Sequence, residues 1–278
     1  MTALEQARQP VDLLANFESL APRLSGVSHV ALFLDFDGTI SRIVPVPEEA
    51  QLDSGITPSL QTLADRPDFS VAVVSGRALA DVRDRVGLKG VIYAGNHGLE
   101  IESGDACFRE PDAEALRREL RCVLLQLKLA LCETDGLEIE DKGLTLSVHF
   151  RRVTEPLHDW VRSATCSTVG RSRSFSVREG KMVLEVFPRV DWNKGRAVKW
   201  IARHAAPSSP LLIYIGDDIS DEDAFVEIPE GITIRVGGLS DTAAQYRLPD
   251  VAAVGLFLKW LDQAKPHAAR ANIQRVGR

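Results

Sequence analysis

Apolar residues in this chain come in short unbroken runs that end abruptly on polar residues. Val30–Leu34 is too short for a helix and lacks polar alternation, so it reads as a strand buried on both faces of a parallel sheet. Phe69–Val74, Val91–Ala94, Leu211–Ile215 and Ile232–Val236 read as further short strands. Helical patterns lie between them. TPSLQTLAD from Thr57 opens like a capped helix, ALADVRDRV follows the second run, Lys194 opens a helix to about Ala206, and Val251 to Ala264 is amphipathic. Leu13, Leu14, Phe17 and Leu20 have helical spacing, so residues 1–28 predict a mobile start and then a short helix covering an edge of the core.

The rhythm changes in the middle. A long helix is predicted from about Asp112 to Thr134, with Leu116, Leu120, Val123, Leu124, Leu127 and Leu131 on one stripe that reads as core rather than a ligand groove. Strands follow at Leu137–Asp141 and Leu144–Phe150, a helix at about Glu155–Ser167, then strands at Phe175–Arg178 and Met182–Phe187. This αββαββ series lacks the surrounding strand–helix alternation and reads as a separate inserted layer. The expected division is a core of 1–108 and 188–278, interrupted by 109–187.

At 278 residues, 45% hydrophobic and 26% charged, the chain has the composition of an ordinary soluble globular protein. A net charge of -6 argues against a general nucleic-acid or anionic-membrane binder, though not against a local basic pocket for a phosphorylated substrate. No run approaches the ~20 apolar residues of a membrane span, and MTALEQARQP lacks the layout of a secretion signal, so a cytoplasmic protein is expected. Cys107, Cys122, Cys132 and Cys166 have neither CxxC spacing nor a nearby histidine pattern. Reduced thiols are expected, not a zinc site or a disulfide frame.

Chemistry concentrates where the runs end. The first run closes on Asp35-Phe36-Asp37-Gly38-Thr39, at the strand edge where ligands of open α/β sheets gather. Two carboxylates two residues apart repel unless a cation lies between them or one stays protonated. A polar turn is the plainer alternative. A calcium loop is excluded, because Ile40 and Val46 stand where glycine and glutamate are needed. The second run ends in Ser75-Gly76-Arg77 before a helix, which suits a phosphate but is also a common turn. The third ends in Gly95-Asn96-His97-Gly98, where His97 is either structural or a hydroxyl ligand. Residues 216–222, GDDISDE, place Asp217 and Asp218 where the first run places Asp35 and Asp37; Asp221 and Glu222 are accounted for as helix-start acids. If the strands ending at Asp35 and Asp217 are neighbours, their oxygens suit Mg²⁺. A carboxylate beside bound phosphate can attack phosphorus, a second acid can serve the leaving oxygen and then water, and Lys194 can hold phosphoryl charge. Alone, Lys194 reads as a solvated helix-start lysine.

DFDGT (35–39), SGR (75–77), Lys194 and GDDISDE (216–222) resemble, in order, the four motifs of the haloacid dehalogenase superfamily. With GNHGLE (95–100), SVHFR (147–151), GKMVLEV (180–186), DWNKG (191–195) and GDDISDEDAF (216–225), the chain is similar to the trehalose-6-phosphate phosphatases over about Leu32 to Phe225. The resemblance implies a Rossmann-like parallel-sheet core with an α+β cap, Asp35 as nucleophile and Asp37 as acid/base. It implies Ser75, Gly76 and Lys194 on phosphate, and Mg²⁺ held by Asp35, the Asp37 carbonyl and Asp217, with Asp218 and Asp221 nearby. It implies Arg77, His97, Arg151, Lys181 and Glu185 on the sugar phosphate, and makes a trehalose-phosphate synthase a candidate partner of an expected monomer. Ser220 and Phe187 depart from the family's usual threonine and arginine. The competing readings are a phosphatase for sucrose phosphate or a mannosyl-glycerate phosphate, and an inactive binding module.

Overall fold

The computed structural model describes residues 10–207, 209–238 and 241–264. These form two compact units, one before residue 108 and after residue 192, the other Phe108–Trp192. The second thus reaches five residues past the expected boundary at 187.

The first unit is built on a sheet of β1 (Val11–Asp12), β2 (Val30–Leu34), β3 (Phe69–Val74), β4 (Val91–Gly95), β5 (Glu100–Ser103) and β6 (Ala106–Arg109), which carries the chain out to the second unit. After the second unit's β7 (Glu138–Asp141), β8 (Leu146–His149), β9 (Phe175–Gly180) and β10 (Val183–Pro188), the chain adds β11 (Leu211–Gly216), β12 (Ile232–Val236) and β13 (Tyr246–Leu248) to the first sheet. Its order is β1-β13-β12-β11-β2-β3-β4-β5-β6. Pairing is parallel from β1 to β4 and antiparallel at β4–β5. All five β2 side chains are buried, because helices cover both faces of a parallel sheet. From β2 the chain steps outward through β3 and β4, then returns to β11 on β2's other side and steps outward again. The strand order therefore reverses at β2 and β11, where ligands of such sheets bind.

The start differs from the expected helix. Part of the predicted mobile start falls on residues 1–9, outside the described residues. Val11–Asp12 pairs with β13, Phe17–Leu20 is a single 3-10 turn, and only Ala21–Ser25 is α-helical, with Pro22 in its first turn. Leu13 and Leu20 are fully buried while Leu14 is 39% exposed, so the spacing marked burial but not one continuous helix. The β5–β6 hairpin was not foreseen, since ACFR is mostly exposed and carries no apolar run.

In the second unit, β7-β8-β10-β9 form an antiparallel sheet. The expected long helix is divided into Pro111–Ala115 and Arg117–Ala130, the break falling at Leu116. Leu120, Leu127, Val148, Val161, Leu184 and Val186 belong to its core. Glu185 alternates with Leu184 and Val186, so it lies on the other sheet face. All four cysteines are exposed and outside any disulfide, so none packs a core. No helix among the described residues is long and apolar enough to cross a membrane.

Candidate active site

At the end of β2 the backbone keeps its pairing one residue longer, Asp35 N donating to Ile215 O at 2.9 Å. Phe36 then turns into the core, fully buried, so Asp35 and Asp37 project together on the other side. Gly38 has φ +78°, and a Cβ there would lie 2.0 Å from Asp217 Oδ2. Only glycine lets the two strand ends approach this closely.

Asp35, Asp217 and Asp221 each offer an oxygen within 4.8 Å of the others. Lys194 Nζ, at the start of the helix Lys194–His204, donates to Asp35 Oδ1 at 2.8 Å and Asp221 Oδ1 at 2.7 Å. Tyr214 also donates its hydroxyl to Asp221 at 2.7 Å. Three carboxylates thus face one ammonium. Burial raises Asp35 well above the carboxylate range; Lys194 opposes the rise and Asp221 and Asp217 add to it. Burial, with Asp221 next, pushes Asp217 up to about 7. Burial would lower the Lys194 ammonium, but Asp221 and Asp35 overrule it and hold it above its usual value. The excess negative charge and the buried, unpartnered Oδ1 of Asp217 fit a hard divalent cation.

Asp218 lies outside this cluster. It caps the turn at Ile219–Asp221, and Ser220 Oγ donates to its carboxylate at 3.1 Å. Asp221, read from sequence as a helix-start acid, is fully buried and takes the inner place, while its Oδ2 still accepts from Asp218 N. Arg235, not singled out from sequence, supports this acidic loop from β12: its buried guanidinium donates to Asp218 O at 2.8 Å and Glu222 Oε1 at 3.2 Å.

Ser75 is buried at the end of β3. Arg77 grips both oxygens of Asp37 at 2.7 and 2.8 Å, donates to Asp81 at 2.8 Å and to Pro47 O at 2.9 Å. The structure thus holds Arg77 against the second acid. His97 is also buried, its ring against Gly76. A cavity of about 430 Å³ opens beside Gly38 and Asp217, bordered by Arg42 and Asp250.

On the face of the second unit's sheet opposite Leu184 and Val186, Glu140, Ser147, Glu185 and Arg178 form one cross-strand row. Glu185 pairs with Lys142, Nζ to Oε1 3.5 Å, and Arg178 stacks over Phe187 at 4.2 Å. Arg151 reaches Lys181 O at 3.4 Å. Arg178 was missed because an arginine in a strand carries no signal until pairing sets it opposite Glu185, and Lys142 because a lysine in a turn carries none until the fold brings it to the Glu185 carboxylate.

The sheet and its reversal at β2 define a haloacid-dehalogenase-type fold, similar to a haloacid dehalogenase-like hydrolase from Bacteroides thetaiotaomicron (TM-score 0.60, 13% identity, 84% of this chain and 99% of that chain). The C-terminal domain of Candida albicans trehalose-6-phosphate phosphatase matches with TM-score 0.76 at 23% identity, covering 93% of this chain and 99% of that domain. The trehalose-phosphatase family model matches residues 33–252, and the chain belongs to that family. The trehalose-phosphate phosphatase of Mycobacterium tuberculosis (strain H37Rv) is 39% identical over 236 residues, 82% of this chain and 60% of that protein's length.

Proposed function

We propose that this chain hydrolyses trehalose 6-phosphate to trehalose and phosphate through an aspartyl-phosphate. The observation that carries the reading is the meeting of Asp35, Asp217 and Lys194 at the strand reversal, with Asp37 one turn on and Ser75 at the neighbouring strand end. An Asp35 oxygen attacks phosphorus as the bond to the sugar oxygen breaks, and Asp37 gives that oxygen a proton. Asp37 then takes a proton from water, whose oxygen attacks the aspartyl-phosphate, freeing phosphate and the Asp35 carboxylate. Lys194 and Ser75 hold the phosphoryl oxygens, and Arg77 fixes the carboxylate of Asp37.

Asp35, the Asp37 carbonyl and Asp217 would hold Mg²⁺, which supplies charge neutralisation at the phosphoryl group when bound. Saturating Mg²⁺ at about 100 times its dissociation constant should stabilise the fold by about 2.7 kcal/mol. Asp217 is raised from 3.8 to about 7, so the metal-free fold gains from its proton at low pH and loses that gain as pH rises through about 7. Protons and metal compete. The Mg²⁺-induced rise in Tm should therefore be larger at pH 8 than at pH 5.5, and scanning calorimetry with chelator and with Mg²⁺ checks it.

A trehalose-phosphate synthase is the candidate source of substrate for an expected monomer. Substrate choice falls to Arg151, Lys181 and Glu185, since the acids and Lys194 engage any phosphate. A carboxylate in a strand is costly unless paired, and a site that pairs it with hydroxyls rejects analogues lacking them. Glu185→Ala should lower kcat/KM for trehalose 6-phosphate by about 100-fold while leaving that for an aryl phosphate within about threefold. Equal losses would return Glu185 to a purely internal pair with Lys142. A wild-type preference for sucrose phosphate would instead select the second reading.

A further inference from the structure

Strand β4 runs into Asn96-His97-Gly98, three consecutive residues at positive φ (52°, 58° and 88°), of which only the last is glycine. Two side-chain-bearing residues in the left-handed region are costly, and such strain persists only where the surroundings hold it. Here the surroundings are the Ser75–Arg77 loop. Asn96 N donates to Arg77 O at 2.7 Å and His97 N to Ser75 O at 2.9 Å, while Ser75 N donates to Ala94 O at 2.9 Å. The Asn96 side chain donates to Glu100 Oε2 at 2.9 Å, and both residues are buried. Beneath the loop, a Cβ on Gly76 would come within 2.8 Å of His97 Cε1. The helix that begins with Lys194 packs against the same three residues.

We propose that the Asn96–Gly98 turn positions the phosphate-gripping loop: it fixes Ser75 and Gly76 against Lys194, with the His97 ring as the floor beneath Gly76. The inference rests on the reading of Ser75 and Gly76 as phosphate contacts. Asn96, His97 and Glu100 touch no reacting atom in this scheme and are positioning residues. The competing account is a hairpin connection between β4 and β5 that needs left-handed residues for its own sake. That account explains the positive φ values. It gives no reason for both amides to bond carbonyls of the 75–77 loop, or for a buried ring to lie under Gly76.

Inorganic phosphate, the reaction product, is the probe. In Asn96→Gly, which suits the left-handed backbone but loses the Glu100 bond, and in His97→Ala, the inhibition constant for phosphate should rise about tenfold, with KM rising in parallel. Half-saturation by Mg²⁺ should move by less than about twofold, because its acids sit on β2 and β11. Glu100→Leu should behave like Asn96→Gly, and Glu100→Gln, which keeps an acceptor oxygen, should restore phosphate affinity. Ser75→Ala separates the two layers of the argument. If it leaves phosphate inhibition unchanged, the phosphate reading of the loop falls and the inference with it. If it weakens phosphate binding while Asn96→Gly and Glu100→Leu only lower Tm, the positioning role is overturned and the phosphate reading stands. Should His97→Ala not fold, Asn96→Gly decides.

Discussion

Asp35→Asn is expected to abolish turnover, by about 10⁴-fold or more, without unfolding the protein. The amide keeps the shape of the carboxylate but cannot attack phosphorus. Lys194 loses one of its two anionic partners and keeps Asp221 at 2.7 Å. Burial already holds Asp35 well above the ordinary carboxylate range, with Asp221 and Asp217 adding to the rise, so the substitution also removes a repulsive charge. The metal-free variant should melt no lower than the wild type. Phosphate release by the purified variant at more than about one-hundredth of the wild-type rate, with Mg²⁺ present, would remove Asp35 from the role of nucleophile.

The elements that sequence made legible are those whose burial is uniform. VALFL has no polar residue to place, so its five positions admit only a strand covered on both faces, and its end names the site. GDDISDE was legible as an acidic strand end but not in detail. Which of its four acids turns inward depends on Tyr214 and Lys194, one an apparently apolar strand residue and the other 27 residues upstream. Asp221 satisfies both readings at once: one oxygen takes the backbone bond of a cap while the other faces Lys194. The ion pair of Arg77 with Asp37 was not legible for a related reason. The arginine's partners Asp37 and Asp81 are distant and near in sequence respectively, and only the register of β2 beside β3 brings the first within reach.

Lys194→Met should damage stability and activity together, and its pH dependence identifies the cause. The ammonium is 2% exposed and faces Asp35 and Asp221, which are 6% and 0% exposed. Methionine has similar length, so packing changes little, but two buried carboxylates lose their counter-charge. Removing one partner of a buried pair costs about 3–5 kcal/mol, a large share of the ~5–15 kcal/mol that holds a typical protein folded. For a chain of this size, Tm should fall by roughly 10 °C. The sign with pH follows from Asp35. In the wild type Lys194 opposes the effect of burial on it; without Lys194 the carboxyl is harder still to ionise. A carboxyl raised in the folded state keeps its proton at low pH, and the fold loses that contribution as pH rises through the folded value. The Tm gap between wild type and variant should therefore widen from pH 5.5 to pH 8 when both are measured in chelator. The kcat should fall by about 10³-fold at either pH, since the charge on the phosphoryl oxygens is lost whatever the state of the acids. A variant whose Tm gap is constant with pH would point to lost packing as the source of the damage, and one that keeps its kcat would place Lys194 outside the reaction.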